Sequence, residues 1–586
     1  MKQASTQLET DVLIIGGGPV GLASAIFLGK LGVKALLLER RSTTSTHPRG
    51  HIVNTRSMEI LRGLGLESDV KSISLPPERY RGVVFRTRLA GDELGRIETR
   101  GDIEHDCLID SYSPTMKTSC PQDVLEPVLR QHAEAQSGVD VRFGVQVNAL
   151  REHASGVTAT LVDLPEGVPY EVSARYVIAA DGARSRTRDW LGIAMRGDAS
   201  MGNQMGVYLK ADLWPWVHDL PYLLLWIYNR DTTGVFISLD GRHRWTYNFA
   251  YDPATQSPED FTPERCVELI RAAVGAPDLP VEICSVQPWQ MQARTVERMR
   301  VGRVFLAGDA AHPLPPTGGQ GMNTGFGDVQ NLAWKLKLVL DGVAPDALLD
   351  TYEAERLPTA RFNVEQSARN AQKMAEAGLA GILRNDPGVG ERVEAPDSGP
   401  LRAQLREAIA AQREHFEYNG QTFGYRYVSD AIIDDGLACP AFDVAHYVPN
   451  ASPGSRAPHL GIGDGCARLS ILDLFGGAHF VMLTTPHGKP VWQYALEDAQ
   501  RAAGFDVRVV SIGAGGDYAA DDDTFATLYG IGGTGAVLVR PDGHVAWRSN
   551  SPVAQDILAQ VLATVLATAQ PGCADDVMGC CDAESA

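Results

Sequence analysis

A glycine-rich segment near the N-terminus has the residue types and spacing that bind a nucleotide pyrophosphate. Residues 16–21 read GGGPVG, a G-x-G-x-x-G pattern between a predicted strand and a predicted helix. Glycines permit a tight turn and let the backbone approach a pyrophosphate at a helix N-terminus, where unpaired N–H groups attract anions. The members of the pattern, with the proline that opens the helix, are Gly16, Gly18, Pro19 and Gly21. The alternative is a turn without a ligand, and the pattern does not distinguish between dinucleotides.

A second segment, residues 304–325 (VFLAGDAAHPLPPTGGQGMNTG), places an acid after a predicted strand and then a loop rich in Pro and Gly. A carboxylate at Asp309 can bind the hydroxyl groups of a ribityl chain. Backbone N–H groups of residues 318–321 can lie against a flat ring, and the following helix dipole stabilises negative charge on a reduced flavin. This combination favours FAD over NAD. The alternative is a strand–loop–helix connection whose Gly and Pro serve only its turns.

A third segment, residues 176–188 (YVIAADGARSRTR), delivers Asp181-Gly182 from a predicted strand, with Ser185 and Arg188 at a predicted helix start. The three segments, in this order, resemble the single-component FAD-dependent aromatic hydroxylases, which are flavoprotein monooxygenases. Residues 48–66 and 119–129 resemble the phenol and chlorophenol hydroxylase branch. The resemblance spans roughly residues 10 to 365 and includes several motifs in the correct order.

The resemblance implies an enzyme in which NADPH or NADH reduces FAD, O₂ adds to give a flavin hydroperoxide, and one oxygen atom is transferred to a phenol. The product is a catechol formed by ortho-hydroxylation. Asp181-Gly182 is then associated with both nucleotides, Asp309 holds the ribityl chain, and Pro316 faces the flavin and the substrate hydroxyl. Glu39 has the position expected for a contact to the adenosine ribose. The residues predicted to bind the cofactor are Gly16, Gly18, Pro19, Gly21, Glu39, Arg40, Arg49, Gln122, Asp181, Gly308, Asp309, Pro316, Gly318, Gly319, Gly321, Met322 and Asn323.

His51 is the predicted catalytic base. A phenol has a pKa of roughly 10, so proton removal near neutral pH needs an acceptor, and His titrates in that range. In the resemblance to phenol hydroxylases, His51 falls close to an aspartate that those enzymes place by the substrate. The alternative is a structural hydrogen bond beside Arg49, and a loop-fixing role is favoured for His312.

Pro316 and Tyr247 complete the predicted catalytic set. The phenol group of Tyr247 can bind a substrate oxygen, although aromatic residues on strands are more often part of a core. Tyr247 belongs to an aromatic cluster whose other members are Tyr222, Trp226, Tyr228 and Trp245.

The elements that must position these residues predict an α/β protein. It consists of a Rossmann-type FAD-binding domain, an inserted antiparallel-sheet substrate domain, and a C-terminal α/β module that resembles a thioredoxin-like domain. This module lacks Cys-x-x-Cys, so we expect a packing or dimer-contact role rather than redox chemistry. A Pro/Gly/Asp-rich linker is predicted near residues 450–465. The predicted parts are 1–200 (FAD-binding domain, first part, with an excursion into the substrate domain near 80–106), 201–290 (substrate sheet), 291–400 (FAD-binding domain, second part, and helices), 401–455 (connector), 456–570 (thioredoxin-like) and 571–586 (tail).

Composition excludes several other classes of protein. With 53 Lys+Arg against 72 Asp+Glu, the formal charge of -19 speaks against nucleic acids and anionic membranes as partners. Nine Cys in 586 residues are too few for a disulfide scaffold, which favours a reducing, cytoplasmic compartment. The tail residues Cys573, Cys580 and Cys581 lack the spacing of a metal site, so no metal is predicted. The apolar N-terminal stretch contains clustered Gly without a basic leader, which speaks against a signal or membrane segment.

Three functions remain open from the sequence. The first is ortho-hydroxylation of a phenol, a chlorophenol or a related substituted phenol, with that substrate and O₂ as partners and a homodimer or larger homo-oligomer as the expected assembly. The second is hydroxylation of a polycyclic aromatic polyketide. The third, of a different class, is a non-catalytic sensor that binds flavin or nucleotide.

Overall fold

Five parallel strands form the centre of the N-terminal half of the chain. The computed structural model describes residues 8–100, 103–165, 167–376, 378, 387–463 and 469–568. No helix within these ranges is long and apolar enough to cross a membrane.

The strands and helices follow one another in a mixed α/β order. The strands are β1 (Leu8–Ile15), β2 (Ala35–Glu39), β3 (Ile52–Val53), β4 (Gly82–Arg86), β5 (Glu93–Glu98), β6 (Thr118–Ser119), β7 (Val139–Phe143), β8 (Val145–His153), β9 (Gly156–Asp163), β10 (Tyr170–Ala179), β11 (Met195–Lys210), β12 (Leu224–Tyr228), β13 (Thr233–Ser238), β14 (Arg244–Tyr251), β15 (Glu282–Val296), β16 (Arg300–Val301), β17 (Val304–Leu306), β18 (Gly461–Ile462), β19 (Leu469–Ser470), β20 (Phe480–Thr484), β21 (Val507–Ser511), β22 (Ala536–Val539) and β23 (Val545–Ser549). The helices are α1 (Pro19–Lys30), α2 (Thr55–Gly63), α3 (Glu67–Ile73), α4 (Ile103–Tyr112), α5 (Gln122–Glu134), α6 (Arg186–Trp190), α7 (Trp214–Val217), α8 (Pro263–Val274), α9 (Gly321–Leu340), α10 (Asp350–Glu376), α11 (Pro387–Glu394), α12 (Gly399–Ala410), α13 (Asn419–Phe423), α14 (Lys489–Ala503), α15 (Asp522–Tyr529) and α16 (Gln555–Val565).

The parallel sheet has the order β17-β10-β1-β2-β7, and β16, β8 and β9 extend it. Strand β1 is buried on both faces, as the continuous apolar run of a parallel strand predicts. Val12 and Ile14 pack with α1 and α9 on one face, whereas Leu13 and Ile15 pack with the β8–β9 hairpin on the other.

The strand register brings the three sequence motifs to one edge of this sheet. Ile15 is the register partner of Leu38 and of Ala179, and Ala179 is the partner of Leu306. Because the strands are parallel, the loops that follow these residues leave the sheet side by side. The carboxyl edge of the sheet is therefore where the predicted cofactor-binding segments meet.

A second sheet of seven strands, ordered β15-β11-β14-β13-β12-β4-β5, lies over this edge. It is antiparallel except for the parallel pair of β12 with β4. Strands β4 and β5 belong to this sheet although more than a hundred residues separate them from β12 in the chain. Helix α8 packs on one face, and the other face is turned towards Ile52 and the carboxyl edge.

The C-terminal module contains a four-stranded sheet, β21-β20-β22-β23, with helices on both faces. One face packs with α14, α16 and Trp334 of α9, where the rings of Trp334 and Phe480 meet edge to face at 5.6 Å. In the segment 469–474, only Leu469–Ser470 is extended, and Ile471–Leu474 forms a 3₁₀ turn capped by Ser470 and Asp473.

The predicted linker near residues 450–465 is not an exposed connection in its first part, where residues 451–458 are all buried. The reason is Arg456, whose guanidinium is fully buried and pairs with Glu59 of α2. Within the structurally described ranges, no group of three His, Cys, Asp or Glu side chains is placed to hold a metal ion. The tail with Cys573, Cys580 and Cys581 lies outside the described residues.

Candidate functional site

The glycine loop (residues 16–21) connects β1 to α1 and leaves an open position beside the helix N-terminus. Gly16 has a φ of +111°, and a Cβ there would lie 2.3 Å from the carbonyl oxygen of Ala180. A Cβ on Gly21 would lie 1.9 Å from the carbonyl oxygen of Gly16, whereas a Cβ on Gly18 would meet no atom within 4 Å. Helix α1 has Pro19 at its first turn and no side-chain cap. The loop therefore offers unpaired N–H groups next to open space, which suits an anion.

Glu39, at the end of β2, holds the glycine loop against the sheet. Its carboxylate accepts a 2.7 Å hydrogen bond from the Gly17 N–H and a 2.9 Å bond from the Arg41 N–H. A carboxylate has lone pairs for further bonds, so these contacts leave the predicted ribose contact feasible. The side chain of Arg40 beside it is exposed.

A hydrogen bond joins the segment 176–188 to the segment 304–325. One oxygen of Asp181 accepts from the N–H and the hydroxyl of Thr187, and its other oxygen, which is buried, has no hydrogen-bond partner among the described residues. Arg188 donates to the carbonyl oxygen of Ala310 at 3.2 Å. Ser185 caps α6 by accepting from the Arg188 N–H. An unpaired buried carboxylate oxygen of this kind fits a ligand that donates hydrogen bonds.

Asp309 and Arg49 carry opposite charges in the cleft between the two sheets. Both residues have exposed side-chain surface. The surrounding protein atoms nevertheless displace part of the water around each charged group. Burial raises the pKa of Asp309, whereas the charges of His312 and Arg49 act to lower it. Burial also lowers the pKa of Arg49, opposed by Glu126 and Asp309. A carboxylate can bind ribityl hydroxyls and a guanidinium can bind a pyrophosphate, so both residue types suit FAD.

His312 fixes the loop that carries Asp309. Its ring is fully buried, and Nε2 lies 2.6 Å from Asp328 of α9. Asp328 also accepts a 3.0 Å bond from the Gly308 N–H and a 2.8 Å bond from Nε of Arg356. The favoured structural role of His312 agrees with this geometry. Sequence reasoning missed Asp328 and Arg356; the signal was an acid on the apolar face of a helix, which needs a buried partner.

The ring loop (residues 313–323) joins β17 to α9 and exposes backbone to the cleft. Gly318 and Gly319 have positive φ values of +105° and +63°, and both are partly exposed, as are Gly321 and Met322. Pro316 is exposed. A Cβ on Gly319 would lie 2.9 Å from the side chain of Ile52, which sets the width of the cleft there. Backbone of this kind at the start of a 20-residue helix fits a flat ring that gains negative charge.

Asn323 was predicted to line the ring, but its amide is engaged within the protein. Its nitrogen donates to the carbonyl oxygen of Ile52 at 3.0 Å and also to that of Gly319, and its oxygen accepts from the Asn54 N–H at 3.0 Å. The side chain therefore joins the ring loop to the segment before α2. Asn54 also caps α2 by accepting from the Ser57 N–H at 2.8 Å.

His51 and Gln122 lie where the segment before β3 is joined to the segment between β6 and α5: the Cys120 N–H donates to the His51 carbonyl oxygen at 2.7 Å and the Gln122 N–H to that of Gly50 at 2.8 Å. Nδ1 of His51 is 3.2 Å from the hydroxyl of Ser119, and burial lowers the pKa of His51 to about 4. His51 is therefore neutral at pH 7. Gln122 donates to Glu126 at 2.5 Å, and the Gly50 N–H donates to Gln122 at 3.5 Å. Gln122 thus supports the segment that carries Arg49.

The predicted contact of Tyr247 with substrate is contradicted by the register of the seven-stranded sheet. Tyr247 is fully buried on the face that packs against α8, and its hydroxyl pairs with Thr232 at 2.8 Å. Successive side chains of a strand point to opposite faces, so residues of the same parity as Tyr247 turn away from the cleft. On the cleft face, Leu224 and Ile237 instead join Ile52 in packing around Leu75, Tyr80 and Leu223.

The aromatic cluster is divided between the two faces of this sheet. Trp245 and Tyr222 lie with Tyr247 on the α8 side, whereas Trp226 and Tyr228 lie on the other face beneath α11 and α12. Aromatic residues that looked alike in the sequence therefore serve two different cores.

Two protein-family models match the chain. One, an FAD binding domain, matches residues 9–367, and the other, an aromatic-ring hydroxylase C-terminal domain, matches residues 450–569. Together they cover the parallel sheet with its inserted sheet, and the C-terminal module.

Curated relatives and solved structures match over nearly the full length. The chain is 38% identical over 564 residues to a tetracenomycin A2 monooxygenase-dioxygenase of Streptomyces glaucescens, which covers 92% of this chain and 93% of that protein. It is 35% identical over 567 residues to a 2,4-dichlorophenol 6-monooxygenase of Delftia acidovorans, covering 94% and 96%. The structure of the flavin-dependent monooxygenase PieE in complex with FAD and substrate matches with a TM-score of 0.89 at 34% identity, covering 96% of this chain and 100% of PieE.

Gly18→Ala is expected to weaken FAD binding about tenfold without unfolding the protein, because the methyl group would occupy the open space beside α1. Gly63→Ala is the matched control, since a Cβ at the end of α2 also meets no atom within 4 Å. Fluorescence titration of both apoproteins with FAD, together with their thermal unfolding, makes the comparison. Equal FAD affinity in Gly18→Ala and the wild type would contradict a pyrophosphate at this position.

Asp328→Asn is expected to lower the free energy of unfolding by about 3–5 kcal/mol, because it leaves the buried Arg356 without its counter-charge. Asp212→Asn, which removes an exposed partner of Arg242, is expected to change stability little. Urea unfolding of the apoproteins at pH 7 measures both variants.

The effect of Asp328→Asn is also expected to depend on pH. Burial acts to raise the pKa of Asp328, but the charges of His312 and Arg356 outweigh it and leave the pKa below its ordinary value. The stability from Asp328 is therefore complete above an unfolded-state pKa of about 3.9 and is lost as the pH falls below it. The difference between the wild type and Asp328→Asn should shrink below about pH 4; a difference that stays constant would contradict this.

Proposed function

This chain belongs to the FAD-dependent aromatic-ring hydroxylases, and we propose that it ortho-hydroxylates a phenolic ring with NAD(P)H and O₂. Family membership makes the protein a flavin-dependent monooxygenase, so the predicted enzyme class and the predicted FAD and NAD(P)H are confirmed, and the sensor alternative is set aside. A relative named as a 2,4-dichlorophenol monooxygenase and one named as a putative polyketide hydroxylase lie at similar identity, 35% and 36%, so the family leaves the substrate open.

The observation that carries the proposal is the meeting of three chain segments at one cleft. Support for an FAD pyrophosphate at the glycine loop comes from open space at Gly18. The guanidinium of Arg49, close enough to Asp309 for their charges to interact, would pair with a phosphate of the same cofactor. Asp309 would hold the ribityl chain, and Glu39 the adenosine ribose. The exposed backbone of residues 318–321 would lie along the isoalloxazine, with Met322 at its side. The free oxygen of Asp181 would accept a hydrogen bond from the cofactor.

We propose a division of the chain that follows the two large sheets. The substrate domain comprises β4–β5 and, as its second part, β11–β15. This second part runs from Met195 to Val296 rather than from 201 to 290. The parallel sheet and its helices form a Rossmann-type FAD-binding domain. The four-stranded sheet with helices on both faces supports a thioredoxin-like assignment for the C-terminal module.

Bound FAD supplies the electrons taken from NAD(P)H and activates O₂ for insertion into the ring. Ile52 lies beside Gly319 of the ring loop and belongs to the same apolar cluster as Leu224 and Ile237, which would exclude water from the reacting atoms. His51 would accept the phenol proton. With Nδ1–H donating to Ser119, Nε2 keeps a lone pair that would accept the phenol hydroxyl proton. Because burial lowers the pKa of His51 to about 4, the imidazolium would not persist at pH 7 and the proton would pass on to solvent. Pro316, exposed on the ring loop, would border the substrate hydroxyl.

A polycyclic aromatic polyketide is the second candidate substrate. Its support is the 36% identity to a putative polyketide hydroxylase of Streptomyces halstedii, which covers 96% of this chain and 98% of that protein. The reaction and the residues proposed for it are the same, and only the size of the ring system differs.

We expect the purified protein to oxidise NADH or NADPH faster when its substrate is present, and to place one ¹⁸O atom in each product molecule under ¹⁸O₂. The panel compares phenol, 2,4-dichlorophenol and a hydroxylated four-ring aromatic, with products identified by mass spectrometry. A labelled catechol from a single-ring phenol supports the proposal, and label only in the four-ring product favours the second candidate. NAD(P)H oxidation without label in any product would overturn both.

His51→Ala is expected to lower hydroxylation about a hundredfold and to remove the acidic limb of the pH–rate profile, which in the wild type should lie near the pKa of about 4. His459→Ala is the matched control. Its Nδ1 also bonds a serine hydroxyl, at 2.8 Å, and burial lowers its pKa to about 4, but it lies in the C-terminal module. A profile that keeps its acidic limb in His51→Ala would reject His51 as the base.

A further inference from the structure

We propose that the turn Arg540–His544 of the C-terminal module positions the loop that carries Asp309, so that this module is required for tight FAD binding. This inference rests on the proposed placement of FAD at the carboxyl edge of the parallel sheet. The turn connects β22 to β23, and its polar side chains point into the protein: Arg540, Asp542 and His544 are all buried.

The first contact of the turn joins α9 to α10 through four buried charges. Arg540 makes a two-pronged ion pair with Glu355 of α10, at 2.6 and 2.8 Å. Lys335 of α9 bonds the same carboxylate at 2.8 Å. Asp542 pairs with Arg540 and accepts a 3.2 Å bond from the indole N–H of Trp334. Two cations and two anions balance: Lys335 and Glu355 pair directly across α9 and α10, and the turn adds Arg540 and Asp542 to the same cluster.

The same two helices connect this cluster of charges to the loop that contains Asp309. Arg356 follows Glu355 on α10 and pairs with Asp328, which lies two helical turns before Lys335 on α9. Asp328 in turn accepts from Gly308 and His312, on either side of Asp309. The position of Asp309 therefore depends on how α9 and α10 are held together, and the turn holds them at Glu355.

A second contact reaches the other wall of the cleft. Arg56 of α2 donates to the carbonyl oxygen of Asp542 at 3.0 Å. Helix α2 begins after Asn54, whose N–H donates to Asn323 of the ring loop. His544 stacks on Tyr427 at 4.2 Å, and the Tyr427 hydroxyl accepts from Arg356 at 3.0 Å. The turn thus contacts the supports of the Asp309 loop and of the ring loop.

Breaking a buried ion pair leaves its partner charge uncompensated, and the surrounding elements shift to relieve it. Removing the charge of Asp542 is therefore expected to let α9 and α10 move apart at this point. We expect the consequence at the cleft to be weaker FAD binding rather than global unfolding, because the two apolar cores of the module remain intact.

Asp542→Asn is compared with Asp473→Asn. Asp473 also joins the C-terminal module to α2, through Arg62 at 2.7 and 2.9 Å, but it contacts neither α9 nor α10 among the described residues. FAD is titrated into each apoprotein at a temperature well below its unfolding midpoint, and hydrogen exchange of residues 308–312 is measured. Asp542→Asn should raise the FAD dissociation constant about tenfold and speed exchange in the loop, whereas Asp473→Asn should change neither.

Equal FAD affinity and equal loop exchange in Asp542→Asn and the wild type would overturn the inference, whatever happens to the unfolding temperature. If Asp542→Asn does not fold, Arg540→Lys is used to test the inference, because this variant keeps the positive charge and loses the two-pronged bond to Glu355. It should weaken FAD binding by a smaller factor, and unchanged affinity would again overturn the inference. Gly18→Ala distinguishes the placement of FAD from the role of the turn. Normal FAD affinity in Gly18→Ala would contradict the proposed placement of FAD. Weakened FAD binding in Gly18→Ala together with normal binding in the turn variants would contradict only the role of the turn.

Discussion

One buried carboxylate, Asp328, organises the site on which the rest depends. It accepts hydrogen bonds from Gly308, His312 and Arg356, and its side chain has no exposed surface. A buried charge is tolerated only when it is fully paired, so the strand end, the loop and the two long helices are fixed relative to one another. Asp309 lies between two of these contacts and is left open to the cleft. The protein thus uses one carboxylate to hold the loop and leaves the other for a ligand.

The parallel sheet brings distant segments of the chain to one place. Residues 16–21, 181–188 and 308–323 follow adjacent strands whose ends are in register, so they need no further device to meet. The seven-stranded sheet then closes the cleft with aliphatic side chains from alternate positions. This division suits a family whose members share cofactor chemistry and differ in substrate, because strand side chains can change without disturbing the loops below.

Fully paired buried charges also hold the C-terminal module against the rest of the protein. Arg540, Asp542, Glu355 and Lys335 form a neutral cluster without solvent access, and Arg456 pairs with Glu59 in a similar way. Such contacts demand one relative orientation of the two parts, since any other would leave charges unpaired. The predicted packing role of this module is consistent with these contacts, because the module lies behind the helices that support the Asp309 loop and the ring loop.

The sequence by itself determined the motifs, their order, the family and the elements that flank each motif, because glycine spacing and apolar periodicity are local properties. It did not determine which face of a strand Tyr247 occupies, since a shift of one residue in register exchanges the faces. It also did not reveal that Asn323 is engaged by Asn54, 269 residues away, or that Glu355 is paired with Arg540, 185 residues away. Only the tertiary structure decided these points, because a buried polar side chain takes its role from the partner that folding brings to it.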